Sequence, residues 1–233
     1  MNEKRILGVI PARGGSKSIP NKNIKKLNGN PLIKYTIDAA LGSKLLTHCI
    51  VSTDSDSIAS VAKSCGALVP FKRPDHLSGD AALSLPVVQH AVQFMENDQQ
   101  YKYDAVIMLQ PTTPLRLTSD IDNTINLLFD TNSDSVISVV EVGGYHPLRM
   151  KRIVEGYLIN YIDQGQEDMR PRQKLPPVYI RNGAIYATRR DVLLKNESFI
   201  GESSRAYIMP NERSVNIDTF ADFLLAKSYF SQK

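Results

Sequence analysis

The sequence predicts an α/β protein built on a doubly wound, mostly parallel sheet, and three observations carry that expectation. Apolar strand-like runs alternate with helix-like runs as far as residue 142. That order implies right-handed crossovers between parallel strands. The first run, "RILGVIPA" (5–12), is apolar almost throughout, the mark of a strand buried on both faces rather than one. A chain of 233 residues is also long enough for one sizeable core and too short for two ordinary domains.

Taken in order, the first strand runs into the loop "IPARGGSKSIPNKN" (10–23). This loop holds two glycines, two prolines and three cations, and no acid. Pro31 opens a helix whose apolar residues Leu32, Ile33, Ile37, Ala40 and Leu41 recur at helical spacing. "HCIVSTD" (48–54) reads as a second strand and "SDSIASVAKSCG" (55–66) as a capped helix ending at Gly66. "ALVPF" (67–71) reads as a short third strand and "LSLPVVQHAVQFMEN" (83–97) as a helix. The strand "DAVIMLQ" (104–110), the helix "SDIDNTINLLFDT" (119–131) and the strand "DSVISVVEV" (134–142) follow. The rhythm then breaks. Residues 143–180 are expected to form an inserted arm, with "RIVEGYLINYID" (152–163) as two strands around Glu155-Gly156 and a proline-rich stretch after them. Arms that leave a sheet often pair with a second subunit. The sheet pattern returns with "NGAIYATRR" and "AYIMP", and a last helix begins near Thr219. The reading is therefore one domain over 1–233 carrying a small dimerisation arm.

Composition narrows the function. Hydrophobic residues make up 42% and charged residues 22%, as in a soluble globular protein. No apolar run approaches the ~18 residues that span a membrane, and the N-terminal run stops at Pro11, too short for a signal segment. Cys49 and Cys65 read as two reduced thiols in a cytoplasmic core. The net charge of +4 is local. Residues 7–37 hold six cations and no acid, which leaves 22 basic against 24 acidic residues elsewhere. A nucleic-acid binder spreads its cations over a face and mixes in aromatics. One basic loop with a single aromatic, Tyr35, suits a compact polyphosphate better.

In an open parallel sheet, ligands bind beyond the carboxyl ends of the strands, where this loop lies. Gly14 and Gly15 permit positive φ and close approach of backbone N–H groups to an anion. Arg13 offers a planar fork, while Lys17 and Lys22 supply point charges. Pro11 and Pro20 limit the loop's freedom. Neither the G-x-x-x-x-G-K-[ST] nor the G-x-G-x-x-G phosphate motif is present.

The string "IPARGGSKSIPNKNIKKLNGNPLI" resembles the signature loop of the acylneuraminate cytidylyltransferases, the CMP-sialic acid synthetase family. The resemblance continues in order through "VSTDSDSIASVAKSCGA", "RPDHLSGDAA", "LQPTTPLR", "HPLR", "RQKLP", "RNGAIY" and "VNIDT", over most of the chain. It implies a nucleotide-diphospho-sugar transferase-like, Rossmann-like fold. The implied reaction joins CTP to the anomeric hydroxyl of a nine-carbon keto sugar acid, with Mg²⁺ and release of pyrophosphate. It further implies that Arg13, Ser16, Lys17, Lys22 and Asn23 hold the triphosphate and nucleotide, with Arg13 and Lys22 also catalytic, and that Arg73 and Ser84 lie at the base and ribose. Gln110, Tyr186 and Phe199 would form the sugar pocket, with Asn182 beside it. Arg149 and Arg172 would reach a neighbouring subunit's site from the arm of a homodimer.

Residues two apart on an extended segment project to one face, so Asn216 and Asp218 of "VNIDT" form the candidate Mg²⁺ pair. The family's better-known form has two aspartates there. Asn216 keeps an acceptor oxygen and loses the charge, so the site should lean on Asp218 and on the substrate's phosphates. Asp218 taken without the family would be a helix N-terminal acid. His48, His76, His90 and His146 form no cluster, and His90 reads as a satisfied packing residue. Asp54, Asp56, Asp80 and Arg116 read equally well as capping or structural groups. Two other readings stay open: a non-catalytic nucleotide-binding homologue, encouraged by Asn216, and a cytidylyltransferase for keto-deoxy-octulosonate.

Overall fold

The computed structural model describes residues 4–162 and 169–230; residues 163–168, within the expected arm, lie outside them. Strand β1 (Ile6–Pro11) is buried along almost its whole length, as its apolar sequence requires. After the basic loop, two short strands, β2 (Lys26–Leu27) and β3 (Asn30–Pro31), form a tight antiparallel ribbon. Helix α1 (Leu32–Leu41) starts just past Pro31, which occupies the cap position. Strand β4 (His48–Ser52) leads into α2 (Asp56–Ser64), where the Ser55 hydroxyl accepts the Ile58 N–H and Gly66, at φ +88°, ends the turn.

The expected strand at 67–71 is reduced to two isolated bridges, Ile50 with Leu68 and Thr53 with Lys72. Pro70 has no N–H to continue a ladder, so this edge segment touches β4 only before and after it. Helix α3 (Ser84–Gln99), strand β5 (Ala105–Leu109), helix α4 (Thr118–Asp130) and strand β6 (Ser135–Glu141) complete the alternating half. Strands β7 (Lys151–Val154) and β8 (Tyr157–Asn160) pair only with each other, turning at Glu155 and Gly156, both left-handed. Strand β9 (Tyr179–Arg189) is followed by a short helix the sequence pattern missed, α5 (Arg190–Leu194). Strand β10 (Ser204–Ile208) and helix α6 (Phe220–Phe230) close the described chain.

The six-stranded sheet has the order β10-β6-β9-β5-β1-β4. β1 lies parallel between β4 and β5, β10 is parallel to β6, and β9 alone runs antiparallel, wedged between β5 and β6. Helices α1, α2 and α4 bury one face around Ile10, Ile37, Ile58 and Ile121, whereas α3 and α5 bury the other around Val9, Val92 and Leu193. A third, smaller cluster lies beside the carboxyl edge of the sheet. Ile19 of the basic loop, Leu115 of the segment after β5, and Val215 and Ile217 all pack there against Phe223 and Ala226 of α6. Three separate stretches of chain are thus fastened to one another at the edge where a ligand would sit.

Candidate active site

That edge holds a cleft of about 470 Å³. Arg13, Ser16, Lys17, Lys22, Asn23, Arg73 and Ser84 all line it, together with Gln110 and Asp218. A larger hollow of about 770 Å³ lies at the opposite, amino edge, between residues 4–6, 44–47 and 102–104, and none of the expected site residues borders it.

The basic loop is held from both ends. The Ala12 N–H donates to the Ser52 carbonyl (2.9 Å), and the Asn23 side-chain amide donates to the Arg13 carbonyl (3.0 Å), which draws the loop into a closed curl. Between them Ile19 is buried in the third cluster. The glycines act differently from the expectation. Neither Gly14 nor Gly15 has a positive φ. Gly14 is small because its chain passes Ser55: an added Cβ would come within 3.0 Å of the Ser55 Cβ. Its N–H is already donated to the Asp54 carboxylate (2.9 Å), so Asp54 shapes the loop from the end of β4. Asp56 instead pairs with Lys72 (2.9 Å).

The cations have partners too. The Lys22 ammonium, only 13% exposed, donates to the Ile217 carbonyl (2.8 Å) and lies 3.7 Å from an Asp218 carboxylate oxygen. Arg13 donates to the Gly79 carbonyl (3.1 Å) and meets Asp80 at 3.1 Å; Lys17 meets the same carboxylate at 2.6 Å. The loop itself is free of acid, but Asp80, more than 60 residues further along the chain, reaches it in space. That contact pulls the Asp80 carboxyl below its usual range, chiefly through the hydrogen bond from Lys17. Arg73 is buried at 4% exposure, bonded to the Ser52 hydroxyl (3.1 Å) and the Ser52 carbonyl. Burial pushes its guanidinium down to about 10, with Asp54 opposing and Arg13 reinforcing the shift. Helix α3 begins at Ser84 with no side-chain cap, so its first N–H groups and positive end lie at the cleft wall.

The segment carrying Asp218 is stitched in by the Ile217 N–H, which donates to the Thr112 carbonyl (2.8 Å). The Asn216 amide donates to Asp218 (3.0 Å), so the pair does lie side by side. Asn216 Oδ1 is buried without a donor. The exposed Asp218 carboxylate suits a hard cation such as Mg²⁺, whereas Asn216 faces it with its NH2 group and would become a ligand only with its amide turned over. Among the described residues, though, no group of three or more His, Cys, Asp or Glu could hold an ion alone. Asp222, rather than Asp218, caps α6, accepting from the N–H groups of both Asp218 (3.1 Å) and Thr219 (2.7 Å).

The expected sugar-side residues are more scattered. Gln110 lines the cleft, and its side-chain oxygen lies 2.8 Å from where a Cβ on Gly183 would be; Gly183 is left-handed at φ +78°. Asn182 is saturated within the fold: it accepts from Ser138 (2.7 Å) and the Ala184 N–H (3.1 Å) and donates to Ser214 (2.9 Å). Tyr186 and Phe199 pack against each other, ring centres 5.7 Å apart, on the α3 face of the sheet and outside the cleft lining. Arg149 and Arg172 lie in the arm, away from this cleft. Arg149 bonds the Arg170 carbonyl (3.0 Å), and the Arg172 guanidinium rests over Gly143. His90 does pack edge-on against Phe71, but its Nδ1 has no partner, so it is not the satisfied residue expected.

One residue left ambiguous by the sequence has a defined task. Arg116 is buried at 3% exposure and donates to the carbonyls of Gln110 (2.7 Å) and Ala184 (2.9 Å) and to the Thr36 hydroxyl (3.2 Å). It pins the end of β5 to β9 and α1. The arrangement as a whole can neutralise a chain of phosphates along Arg13, Lys17 and Lys22, and can present one carboxylate at its far end.

Comparison with known proteins gives the family. Residues 7–202 match the model of a family described as cytidylyltransferase. The chain is 35% identical over 231 residues to a CMP-N,N'-diacetyllegionaminic acid synthase of Campylobacter jejuni, covering 98% of this chain and 96% of that protein. It is 34% identical over 218 residues to an N-acylneuraminate cytidylyltransferase of Streptococcus agalactiae, covering 93% of this chain and 51% of that longer protein. A CMP:2-keto-3-deoxy-manno-octonic acid synthetase solved with CTP shares the fold, with a TM-score of 0.72 at 20% identity over 98% of this chain and 99% of that one. From the site and these likenesses together, the chain belongs to the cytidylyltransferase family.

Proposed function

We propose that this protein transfers CMP from CTP to the anomeric hydroxyl of a sialic acid-like nine-carbon keto sugar acid, releasing pyrophosphate. The observation that carries the reading is the convergence of Arg13, Lys17, Lys22, Arg73 and Asp218 on one cleft at the carboxyl edge of the sheet. Nucleotidyl transfer asks for charge neutralisation, in-line placement and a stabilised leaving group, with little covalent chemistry from side chains. Arg13 and Lys17 lie at the mouth, where they would hold the outer phosphates. Lys22 lies deeper, between the loop and Asp218, where it would face the phosphorus under attack. Arg73 and Ser84 would border the ribose and base, and Asn23 would keep the loop closed. Asp218, with Asn216 beside it, would hold Mg²⁺. When bound, the ion would neutralise phosphate charge and the developing charge on pyrophosphate.

For the sugar, the names of the two relatives support an acylated nine-carbon acid. Gln110 would touch the sugar first. Tyr186 and Phe199 would shape the apolar wall behind it, with Asn182 holding that wall in position. Because Arg149 and Arg172 lie off their own chain's cleft, we place them at the site of a second copy. The arm exposes Ile153 at 76%, Tyr157 at 74% and Leu158 at 71%, a surface suited to pairing. We accordingly read the chain as one domain with residues 143–180 as a dimerisation arm. Two free cysteines and a CTP substrate fit a cytoplasmic enzyme. Among the described residues no helix is long and apolar enough to cross a membrane.

The test is pyrophosphate release with CTP, Mg²⁺ and a panel of N-acetylneuraminate, diacetyllegionaminate, pseudaminate and keto-deoxy-octulosonate. Release with at least one nine-carbon acid and not with the eight-carbon acid is expected. No release with any of them would defeat the reading.

A further inference from the structure

We infer that Asp80 is an internal competitor for the outer phosphates, a residue that weakens retention of the pyrophosphate product. The inference rests on the proposed phosphate role of Arg13 and Lys17. Asp80 bridges those two cations, at 3.1 Å and 2.6 Å, while the neighbouring Gly79 carbonyl takes a second donor from Arg13 at 3.1 Å. The carboxylate and one carbonyl therefore occupy the positions that phosphate oxygens would take. Among the described residues, Arg13 and Lys17 are the partners of the Asp80 side chain. It is half-exposed and supports no packing, so its contacts serve the cradle rather than the core.

The surroundings of Asp80 are open. Gly79 meets no other atoms where a side chain would stand. Leu83, just before α3, is 71% exposed and anchors nothing. The segment 79–83 borders the cleft through Ala82, whose N–H is donated to the Gly79 carbonyl (3.0 Å).

The electrostatic consequence follows from counting. Arg13, Lys17, Lys22 and the buried Arg73 give four positive charges; Asp80 and Asp218 remove two, and at the mouth Asp80 alone faces Arg13 and Lys17. Without Asp80 the mouth of the cleft would attract any small polyanion. With it, an incoming phosphate must replace two ion pairs, and a departing one is replaced by them. A triphosphate carried by a nucleoside gains further contacts deeper in the cleft and overcomes this competition. Pyrophosphate alone has no such anchor. The Asp80 carboxylate thus loosens the grip on the outer phosphates and assists product departure, while the nucleoside triphosphate keeps its hold through contacts deeper in the cleft.

Calorimetric titration of the full chain with inorganic pyrophosphate and, separately, with cytidine tests this. Asp80→Asn should bind pyrophosphate roughly three- to tenfold more tightly, the scale of losing two exposed ion pairs from the free state, with cytidine affinity unchanged. Pyrophosphate should also become a correspondingly stronger product inhibitor. Equal or weaker pyrophosphate binding by Asp80→Asn would overturn the inference while leaving the phosphate cradle standing. A Lys17→Ala control that binds pyrophosphate as well as the unaltered protein would instead remove the cradle reading, and this proposal with it.

Discussion

On the proposed reading, Asp218 concentrates the chemistry that single residues can carry. Its side chain is 69% exposed, its backbone N–H is what meets the α6 cap, and among the described residues its carboxylate meets Asn216 and Lys22. Asp218→Ala should therefore abolish pyrophosphate release yet shift stability by no more than about 0.5 kcal/mol, the usual range for surface changes. A melting curve alongside the turnover assay checks both halves, and normal turnover would take Asp218 out of the mechanism. Arg116 is the opposite case. Burial pushes its guanidinium down to about 10, the nearby Asp120 offsets this in part, and it touches no substrate position. Arg116→Met should cost about 2–4 kcal/mol, because the Gln110 and Ala184 carbonyls lose their buried donor. The midpoint of urea unfolding reads this directly.

At the scale of elements, the small cluster beside α6 decides how well the site is held. Ile19 ties the phosphate loop to it, Leu115 ties the segment after β5, and Ile217 ties the segment of Asp218. Ile19→Ala should cost about 3 kcal/mol through transfer and cavity terms. It should also weaken CTP binding several-fold, because the loop loses its fixed distance from Lys22 and Asp218. Calorimetry with CTP, read beside the unfolding midpoint, separates the two effects. This cluster was invisible in the sequence, since its members come from stretches up to two hundred residues apart. What was legible was local: the alternation that builds the sheet, the Ser55 cap, the two strands around Glu155-Gly156 and the run of cations after β1. The antiparallel sense of β9 was not legible, because a two-faced buried strand shows the same apolar run in either direction. Nor were the Asp54 and Asp80 contacts, which join positions 40 and more residues apart and leave no spacing signal. The strand expected at 67–71 failed on one residue, Pro70.

The whole molecule poses the question of whether one copy contains a complete site. On the proposed reading it does not. Arg149 and Arg172 sit at the arm, and His146, buried at 5% exposure, secures the arm's base by accepting the Leu148 N–H and donating to the Pro176 carbonyl. The base is anchored to its own chain, whereas the β7–β8 hairpin extends an apolar surface outward. If that surface pairs with a second copy, each arm serves the partner's cleft, and two different defects can complement. Arg172→Ala and Asp218→Ala should each be nearly inactive as pure proteins. After mixing under exchange conditions, half the dimers would be hybrids, and one of the two clefts in each hybrid would combine an intact Asp218 with an intact partner Arg172. Activity should then return to about a quarter of the unaltered level, as the two-fold geometry dictates. An arm that served its own cleft would leave both defects in place, one in each subunit's own site, and the mixture would gain only the cleft carrying neither defect, which no hybrid would contain. Absence of recovery, in a mixture shown by mass to have exchanged subunits, would therefore return Arg172 to a purely structural role or to its own chain's site.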